Sequence, residues 1–250
     1  MGLIPAHFWL PTRRFAAYFP PMFNPKELFD LSQTEHAALF EGCGPAWEVL
    51  SRIGDYLGRH LKPGLRNQCM GVAYIGEHVY IGPGTIVEDG VMIRGPAIIG
   101  RNCQIRHNAY IRENVIIGDD CTVGNACEVK NSLLFNRATV PHFNYVGDSV
   151  LGHGAHLGAG VVLSNVKALG GNVMVVSKEE RYDSGLSKFG ALIGDHAEIG
   201  CNSVLNPGSI IGRRSVIQPC TNWRGVLPED MIAKNRSSVE LVIRRNLDDR

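Results

Sequence analysis

The stretch IGEHVYIGPGTIVEDGVMIRGPAIIGRNCQIRHNAYIRENVIIGDDCTV, residues 75–123, determines the fold because an aliphatic residue returns at every sixth position. The series begins at Ile75 and continues through Val123 and Val129 to Phe135. A small or aliphatic residue stands two positions earlier in each hexad, and glycine often follows the aliphatic one. A helix has a period of about 3.6 residues and a strand a period of about 2, so neither produces this spacing.

Each hexad is interpreted as a short strand and a tight turn, with the aliphatic side chain in the interior and glycine at the corner. Three hexads then close one triangular coil of about 18 residues. The pattern resumes at Leu151 and again at Ile193, and it ends near Ile217. The sequence therefore predicts an all-β fold, a left-handed parallel β-helix, over residues 72–227.

Residues 1–71 precede the repeats and have a different character. Asn24-Pro25 is a typical helix start, and apolar residues at helical spacing follow from Val49 to Leu61. The opening, residues 8–21, is rich in aromatic residues and proline. We expect this small helical segment to cap the open end of the β-helix, which would otherwise expose its core and strand edges.

Two further regions depart from the hexad pattern. Residues 164–190 form an insertion within the repeats, and a loop of that length inside a regular solenoid is more often functional than not. Residues 228–250 form a C-terminal tail, in which residues 239–243 have the composition of a final strand or helix.

The composition places few limits on function. Lys and Arg number 25 and Asp and Glu 24, so a net charge of +1 gives no support to nucleic acid or an anionic membrane as partner. The apolar runs are shorter than the roughly 20 residues that span a bilayer. Arg13 and Arg14 interrupt the N-terminal apolar stretch, so a secretory signal is not indicated. We expect a cytoplasmic protein.

Cysteine and histidine spacing does not predict a metal site. The seven cysteines include no C-x-x-C pair, which argues against a disulfide framework and a zinc knuckle. Cys103, Cys121 and Cys127 stand at the small inward positions, where a buried thiol packs as a modest hydrophobe. His153 and His156 are three residues apart, without the spacing usual for zinc enzymes of this fold.

The coil length converts sequence spacing into position. Arg94, Arg112 and Lys130 are 18 residues apart, so we expect them in one outward column with steps of about 4.8 Å. Three stacked cations repel unless anions lie among them. A phosphate would satisfy Arg112 and Lys130 together through charge-assisted hydrogen bonds. A solvated basic edge is the alternative interpretation.

The aliphatic series slips by two residues within the range 135–151. If Val146 takes the next inward position, Tyr145 lies above Glu128 and His142 lies on the strand that leads into the cationic column. An imidazole titrates near neutral pH, and a carboxylate can fix its tautomer, so base catalysis beside an anion site is indicated. A histidine with a structural hydrogen bond is the alternative.

Four segments carry a resemblance to a known family. Residues 123–125 (VGN), 128–132 (EVKNS), 141–148 (PHFNYVGD) and 157–160 (LGAG) closely resemble the C-terminal acetyltransferase domain of the bifunctional N-acetylglucosamine-1-phosphate uridylyltransferase and glucosamine-1-phosphate acetyltransferase family. Residues 184–191 (SGLSKFGA) and the loop before them are more similar to archaeal sugar-1-phosphate members. The resemblance covers about residues 72–227. It implies an acetyl-CoA-dependent N-acetyltransferase that acts on glucosamine-1-phosphate or galactosamine-1-phosphate in nucleotide-sugar biosynthesis.

The same resemblance implies roles for individual residues. His142 matches the general base and Glu128 its supporting carboxylate. The positions that match substrate contacts are Arg112, Lys130, Tyr145, His156, Asn165 and Lys188. The positions that match the acetyl-CoA site are Ala159, Cys201 and Pro219, and the Ala159 amide matches the donor to the thioester oxygen. The family has an asparagine where this chain has His156.

The resemblance also implies acetyl-CoA as co-substrate, no metal, and a homotrimer in which residues 164–190 extend to a neighbouring subunit. The nucleotidyltransferase half of the family is absent from this sequence, so a separate nucleotidyltransferase is the expected partner in the pathway. Two alternatives stay open: a scaffold that binds a sugar phosphate without turnover, and an acyltransferase for another acceptor such as a nucleotide sugar.

Overall fold

The computed structural model describes residues 23–178 and 180–236, and most of them form a parallel β-helix. The predictions for residues 8–21 and 239–243 lie outside the described residues. Within the described residues, no helix combines the length and the hydropathy needed to cross a membrane.

The N-terminal segment is helical, as predicted. Its elements are α1 (Pro25–Leu28), 3-10 turns at Leu31–Gln33, Ala37–Phe40 and Ala46–Glu48, and α2 (Val49–His60). Asn24 caps α1, since its side-chain oxygen accepts a hydrogen bond from the Lys26 N–H at 3.0 Å. The apolar stripe of α2 is buried along one side of the helix, which the predicted spacing requires.

The strands are short and regularly spaced. Before the insertion they are β1 (Gly64–Leu65), β2 (Gln68–Met70), β3 (Tyr74–Ile75), β4 (Val79–Ile81), β5 (Ile86–Glu88), β6 (Met92–Ile93), β7 (Ala97–Ile99), β8 (Gln104–Ile105), β9 (Tyr110–Ile111), β10 (Val115–Ile117), β11 (Thr122–Asn125), β12 (Glu128–Lys130), β13 (Ser132–Leu134), β14 (Thr139–His142), β15 (Tyr145–Gly147), β16 (Val150–Leu151), β17 (His156–Leu157) and β18 (Val162–Leu163). The rest are β19 (Met174–Ser177), β20 (Glu180–Asp183), β21 (Ala191–Ile193), β22 (Glu198–Ile199), β23 (Val204–Leu205), β24 (Ser209–Ile211), β25 (Val216–Ile217), β26 (Asn222–Trp223), β27 (Val226–Leu227) and β28 (Ile232–Ala233).

These strands form three parallel sheets, and consecutive strands of the β-helix alternate among them. Sheet A has the order β1-β4-β7-β10-β13-β16-β21-β24-β27 and sheet B the order β2-β5-β8-β11-β14-β17-β22-β25-β28. Sheet C has the order β3-β6-β9-β12-β15-β18-β23-β26. The predicted parallel β-helix is confirmed, and its strands extend beyond residues 72–227 at both ends, from Gly64 to Ala233.

The interior is filled by the predicted aliphatic series. Ile81, Ile93 and Ile105 are fully buried, and Cys103, Cys121 and Cys127 pack beside such residues as expected. The turns place one residue in the left-handed region, where Asn, Asp and Gly are favoured. This backbone requirement explains why these residue types recur at the corners.

The coil shortens to 17 residues in the middle of the molecule. Ile117 pairs with Leu134 and Leu134 pairs with Leu151, each an interval of 17 residues. The predicted interior position of Phe135 is therefore wrong, because Leu134 takes it. Phe135 turns outward instead and stacks on Phe29, with ring centroids 5.1 Å apart. The predicted pairing of Tyr145 with Glu128 is confirmed.

The N-terminal segment covers the outer side of sheet A. For its described part, the expected position over the open end of the β-helix is wrong. Outward residues of sheet A are apolar, and they are buried in one cluster with the segment: Ile116, Leu133, Val150, Leu192 and Ile210. Burial of this apolar surface explains the location. The first coil still exposes Leu65, Met70 and Val72.

The insertion between β18 and β21 contains an antiparallel hairpin, β19 and β20. Val173, Val175 and Phe189 are fully buried in the same cluster as Trp47. The hairpin thus packs on the N-terminal segment and sheet A of its own chain. Leu169, before the hairpin, is almost fully exposed.

Candidate active site

The turns that join sheet B to sheet C form one edge of the prism, the B–C edge. Its successive residues are His107, Asn125, His142, Ala159, Cys201 and Pro219. Asn125 pairs with His142, and the Gly160 N–H donates to the His142 carbonyl at 2.9 Å. The Asn202 and Cys220 N–H groups donate to the Ala159 and Cys201 carbonyls, both at 2.8 Å. The predicted base and the predicted acetyl-CoA residues therefore lie in one column.

His142 lies at the exposed end of β14. Its backbone N–H donates to the Asn144 Oδ1 at 3.0 Å, and its imidazole makes no hydrogen bond to another described residue. Phe143 beside it is exposed and has a φ of 53°, which a bulky residue rarely adopts. Gly124 lies against the Pro141 carbonyl, where a Cβ would collide, so this glycine is sterically required. The local backbone thus presents the imidazole to solvent.

The side chains of Tyr145 and Glu128 are neighbours on the outer face of sheet C. The Tyr145 hydroxyl donates to the Asn165 Oδ1 at 3.5 Å. Burial raises the pKa of Tyr145, and the negative charges of Glu128 and Asp148 raise it further, so the phenol stays protonated at neutral pH. Tyr145 and Asn165 thus offer neutral donors and acceptors that suit sugar hydroxyls.

Carboxylates already lie among the predicted column of cations. Arg112 contacts the Glu128 Oε1 at 2.9 Å and the Glu113 Oε1 at 3.2 Å. Glu128 accepts from Arg112, and the hydrogen bond expected from the His142 imidazole to Glu128 is not formed. The Arg112 Nε is buried and lacks a hydrogen-bond partner among the described residues.

Asp148 joins the column to the inserted loop. It accepts from the Lys130 Nζ at 3.3 Å, and the side chains of this pair are 13% and 6% exposed. It also accepts from Asn131 and from Asn165. Exposed Lys188 lines a cavity of about 230 Å³ together with Asn131 and Asp148. The structure therefore brings Lys130, Asn165 and Lys188 to one corner, beside Tyr145.

His156 lies elsewhere. It belongs to β17 in sheet B, and its Nδ1 is 2.6 Å from the Thr139 hydroxyl. Sheets B and C present different outer faces, so a single chain does not bring His156 and Tyr145 together. Among the described residues, no three His, Cys, Asp or Glu side chains are arranged to hold a metal ion.

Asn144 has a structural role that was not predicted. This residue is 2% exposed and occupies an inward position that Cys127 and Val161 fill in adjacent coils. Its Oδ1 accepts from the His142 N–H, and its Nδ2 donates to the Gly158 carbonyl at 2.7 Å. In the sequence, a polar amide at a position that otherwise holds small or aliphatic residues could have indicated this role. Asn144 ties the turn of His142 to the turn that precedes Ala159.

Comparison with known proteins assigns the repeats. Residues 93–180 match the family profile described as the GMPPB C-terminal domain, and residues 190–222 match the bacterial transferase hexapeptide (six repeats). The last coils of the β-helix thus match transferase hexapeptides. The resemblance predicted from the sequence is thus confirmed for the repeat region.

Curated relatives are similar to part of the chain. The bifunctional sugar-1-phosphate nucleotidylyltransferase/acetyltransferase of Sulfurisphaera tokodaii is 38% identical over 88 residues, which make up 35% of this chain and 22% of that protein. Bifunctional protein GlmU of Methanococcus vannielii is 31% identical over 115 residues, which make up 46% of this chain and 27% of that protein. The match thus spans about a quarter of these relatives.

Among solved structures, the UDP-N-acetylglucosamine acyltransferase of Francisella novicida aligns with 68% of this chain and 64% of its own. The two are 18% identical, and the TM-score is 0.33.

Proposed function

We propose that this protein transfers an acetyl group from acetyl-CoA to the amine of an amino-sugar 1-phosphate. The observation that carries the proposal is the B–C edge, where His142 is followed by Ala159 in the next coil. The candidate sugar-binding residue Tyr145 lies on the adjoining face of sheet C, and its hydroxyl donates to the second candidate, Asn165. A base, an amide donor and polar side chains thus lie on adjoining surfaces of the β-helix.

The comparisons support the same class of reaction. The Sulfurisphaera tokodaii relative is named for both nucleotidylyl transfer and acetyl transfer, and this chain matches only part of it. Residues 141–148, which contain the proposed base, lie within the match to the GMPPB C-terminal domain profile. A separate nucleotidyltransferase would supply the other activity.

The acceptor is anchored through its phosphate and its hydroxyls. The ammonium of Lys188 is exposed and forms no ion pair with another described residue, so it is the donor best placed for phosphate oxygens, and Arg112 adds its positive charge nearby. The charge of Lys130 is neutralised by Asp148. Lys130 therefore contributes to the site by holding the Asp148 carboxylate in position. Tyr145 and Asn165 contact the sugar. Glu128 positions Arg112 and does not position His142.

His142 takes the proton from the attacking amine, for which its exposed and unbonded imidazole is suited. The amine nitrogen then bonds to the acetyl carbon, the carbon–sulfur bond breaks, and the thiolate of CoA leaves with the electron pair. The proton passes from His142 to this thiolate. Ala159 is partly exposed and its N–H has no acceptor among the described residues, so this N–H can stabilise the thioester oxygen.

The proposed assembly is a cytoplasmic homotrimer with the site in the groove between subunits. In such a groove, sheet B of one subunit faces sheet C of the next, which would bring His156 of one copy toward Tyr145 of another. The exposed part of the insertion around Leu169 is the element placed to contact a neighbour.

The test is release of free thiol from acetyl-CoA in the presence of glucosamine-1-phosphate or galactosamine-1-phosphate. His142→Ala is expected to lower kcat by about a hundredfold to ten-thousandfold, the range typical for loss of a general base. His107→Ala is the matched control, because His107 lies on the same edge and its ring already donates to the Asp89 carbonyl at 2.7 Å.

Wild-type turnover by His142→Ala would refute the base assignment. If both amino-sugar phosphates bind but no thiol is released, the protein is a binding module instead. Equal losses in His142→Ala and His107→Ala would indicate a structural effect along the edge.

A further inference from the structure

Asn131 lies at the turn that leads from β12 in sheet C to β13 in sheet A, beside the start of α2. Its φ of 42° is in the left-handed region, where asparagine is favoured. Its amide Nδ2 donates to the Leu50 carbonyl of α2 at 3.3 Å and to the Asp148 Oδ1 at 2.9 Å. One side chain therefore joins the N-terminal segment to the candidate site.

Asp148 continues this connection toward the sugar-binding candidates. Its Oδ2 accepts from the Asn165 Nδ2, and the Asn165 Oδ1 accepts from the Tyr145 hydroxyl at 3.5 Å. Asp148 is 4% exposed and Asn165 is 8% exposed, so water competes little for these hydrogen bonds. Together with Asn131, these residues form an unbroken hydrogen-bond chain from α2 to Tyr145.

The chemistry of the chain leaves one orientation for each amide. Carbonyl and carboxylate oxygens only accept hydrogen bonds. The Asn131 amide must therefore turn its nitrogen toward both of its acceptors, and the Asn165 amide must turn its nitrogen toward Asp148. The Asn165 oxygen then faces the Tyr145 hydroxyl, which donates to it. The lone pairs of the Tyr145 oxygen are left to accept from a hydroxyl or amine of the acceptor sugar.

We infer that Asn131 is a positioning residue through which the docked N-terminal segment orients Tyr145 and Asn165 toward the acceptor sugar. The inference rests on the proposed function, and Asn131 itself does not touch the reacting atoms. Without the Asn131 amide, the Asp148 Oδ1 loses its donor among the described residues. The carboxylate can then rotate, and the orientation of the Asn165 amide is no longer fixed.

The same segment also bounds the cavity next to Lys188. Leu50 and Ser51 of α2 line this cavity of about 230 Å³ together with Asn131 and Asp148. The proposed phosphate position and the hydrogen-bond chain thus meet at a wall formed by α2. Because linkage between two equilibria is reciprocal, an acceptor held there must stabilise the docked segment as much as the segment stabilises the bound acceptor.

The first experiment measures KM for glucosamine-1-phosphate and galactosamine-1-phosphate and KM for acetyl-CoA. Asn131→Gly keeps a residue suited to the left-handed turn and removes the amide. It is expected to raise KM for the amino-sugar phosphate by about tenfold, the size expected for loss of one hydrogen bond to a charged group, and to leave KM for acetyl-CoA unchanged. Asn131→Asp places an acceptor against two other acceptors and is expected to raise the same KM further.

Asn114→Gly is the matched control. Asn114 lies at the same corner one coil earlier, has a φ of 59° and lies beside Gly54 of α2. Its side chain makes no hydrogen bond to another described residue. The replacement therefore changes the backbone in the same way without breaking the chain, and both KM values should equal those of the wild type.

Amide hydrogen exchange gives a second readout that does not require turnover. Saturating glucosamine-1-phosphate or galactosamine-1-phosphate should slow exchange in α2 of the wild type and of Asn114→Gly, and should slow it less in Asn131→Gly.

Three results would overturn the inference and leave the proposed function standing. They are an unchanged KM in Asn131→Gly, equal increases in Asn131→Gly and Asn114→Gly, and an equal rise in KM for acetyl-CoA. Absence of wild-type turnover with both amino-sugar phosphates refutes the proposed function itself. The exchange comparison then still decides whether Asn131 links the segment to a bound sugar phosphate, and exchange in α2 that does not respond to either ligand overturns that link.

Discussion

Replacement of Phe135 by alanine is the sharpest test of how the N-terminal segment is held. Phe135 is fully buried outside the β-helix, with its ring 5.1 Å from that of Phe29 and 5.8 Å from that of Phe40. A buried Phe to Ala change costs about 3–5 kcal/mol. Most of the lost contacts belong to the segment, so we expect the cost to fall on its attachment to sheet A.

Amide hydrogen exchange tests this expectation because it measures local opening separately in each region of the protein. In Phe135→Ala, the amides of α2 are expected to exchange roughly a hundredfold faster or more, because 3 kcal/mol corresponds to about two powers of ten. The amides of sheets B and C are expected to change much less. Limited proteolysis around exposed Glu41 and Gly42 should report the same opening.

Leu134→Ala is the matched control, since Leu134 is the adjacent residue and points into the interior. It should weaken protection in the strands around it. If Phe135→Ala leaves α2 exchange unchanged, or if both variants affect the same amides equally, the placement of Phe135 beneath the segment is refuted.

Three further predictions concern buried polar groups. Burial lowers the pKa of His36 from 6.5 to about 4, so the stability gained from its neutral form is present above pH 6.5 and is lost as the pH falls toward 4. Denaturant unfolding at pH 5 should therefore show a free energy of unfolding lower by up to about 2 kcal/mol than at pH 7. In His36→Gln, this part of the pH dependence should disappear. Asp148→Ala leaves the Lys130 ammonium buried without its partner and should cost about 3–5 kcal/mol in the same assay, while the double variant Lys130→Met, Asp148→Leu should recover most of it. Asn144→Ala leaves the His142 N–H and a carbonyl unpaired, so we expect a loss of about 1–3 kcal/mol and a lower kcat; an unchanged kcat would contradict its positioning role.

The candidate site was predictable to the extent that it follows from coil register. The sequence placed Tyr145 over Glu128, although it used Phe135 as an interior residue and so located the shortening too late. It could not foresee that Arg112 and Lys130 are held by carboxylates, because side-chain reach between coils is not part of the hexad pattern. Catalytic roles and the homotrimer stay predictions.

The sequence by itself determined the parallel β-helix. Each hexad turns one aliphatic side chain inward, and a coil buries those side chains only when similar coils stack on it. The tertiary structure alone decided which outer surface the N-terminal segment covers. Sheet A has an apolar exterior that includes Ile116 and Leu192, whereas the exterior of sheet C also carries the charged Glu128 and the hydroxyls of Tyr110 and Tyr145. Contacts between residues far apart in the chain, such as Asp30 with Asp195, fix that choice, and no local period encodes them.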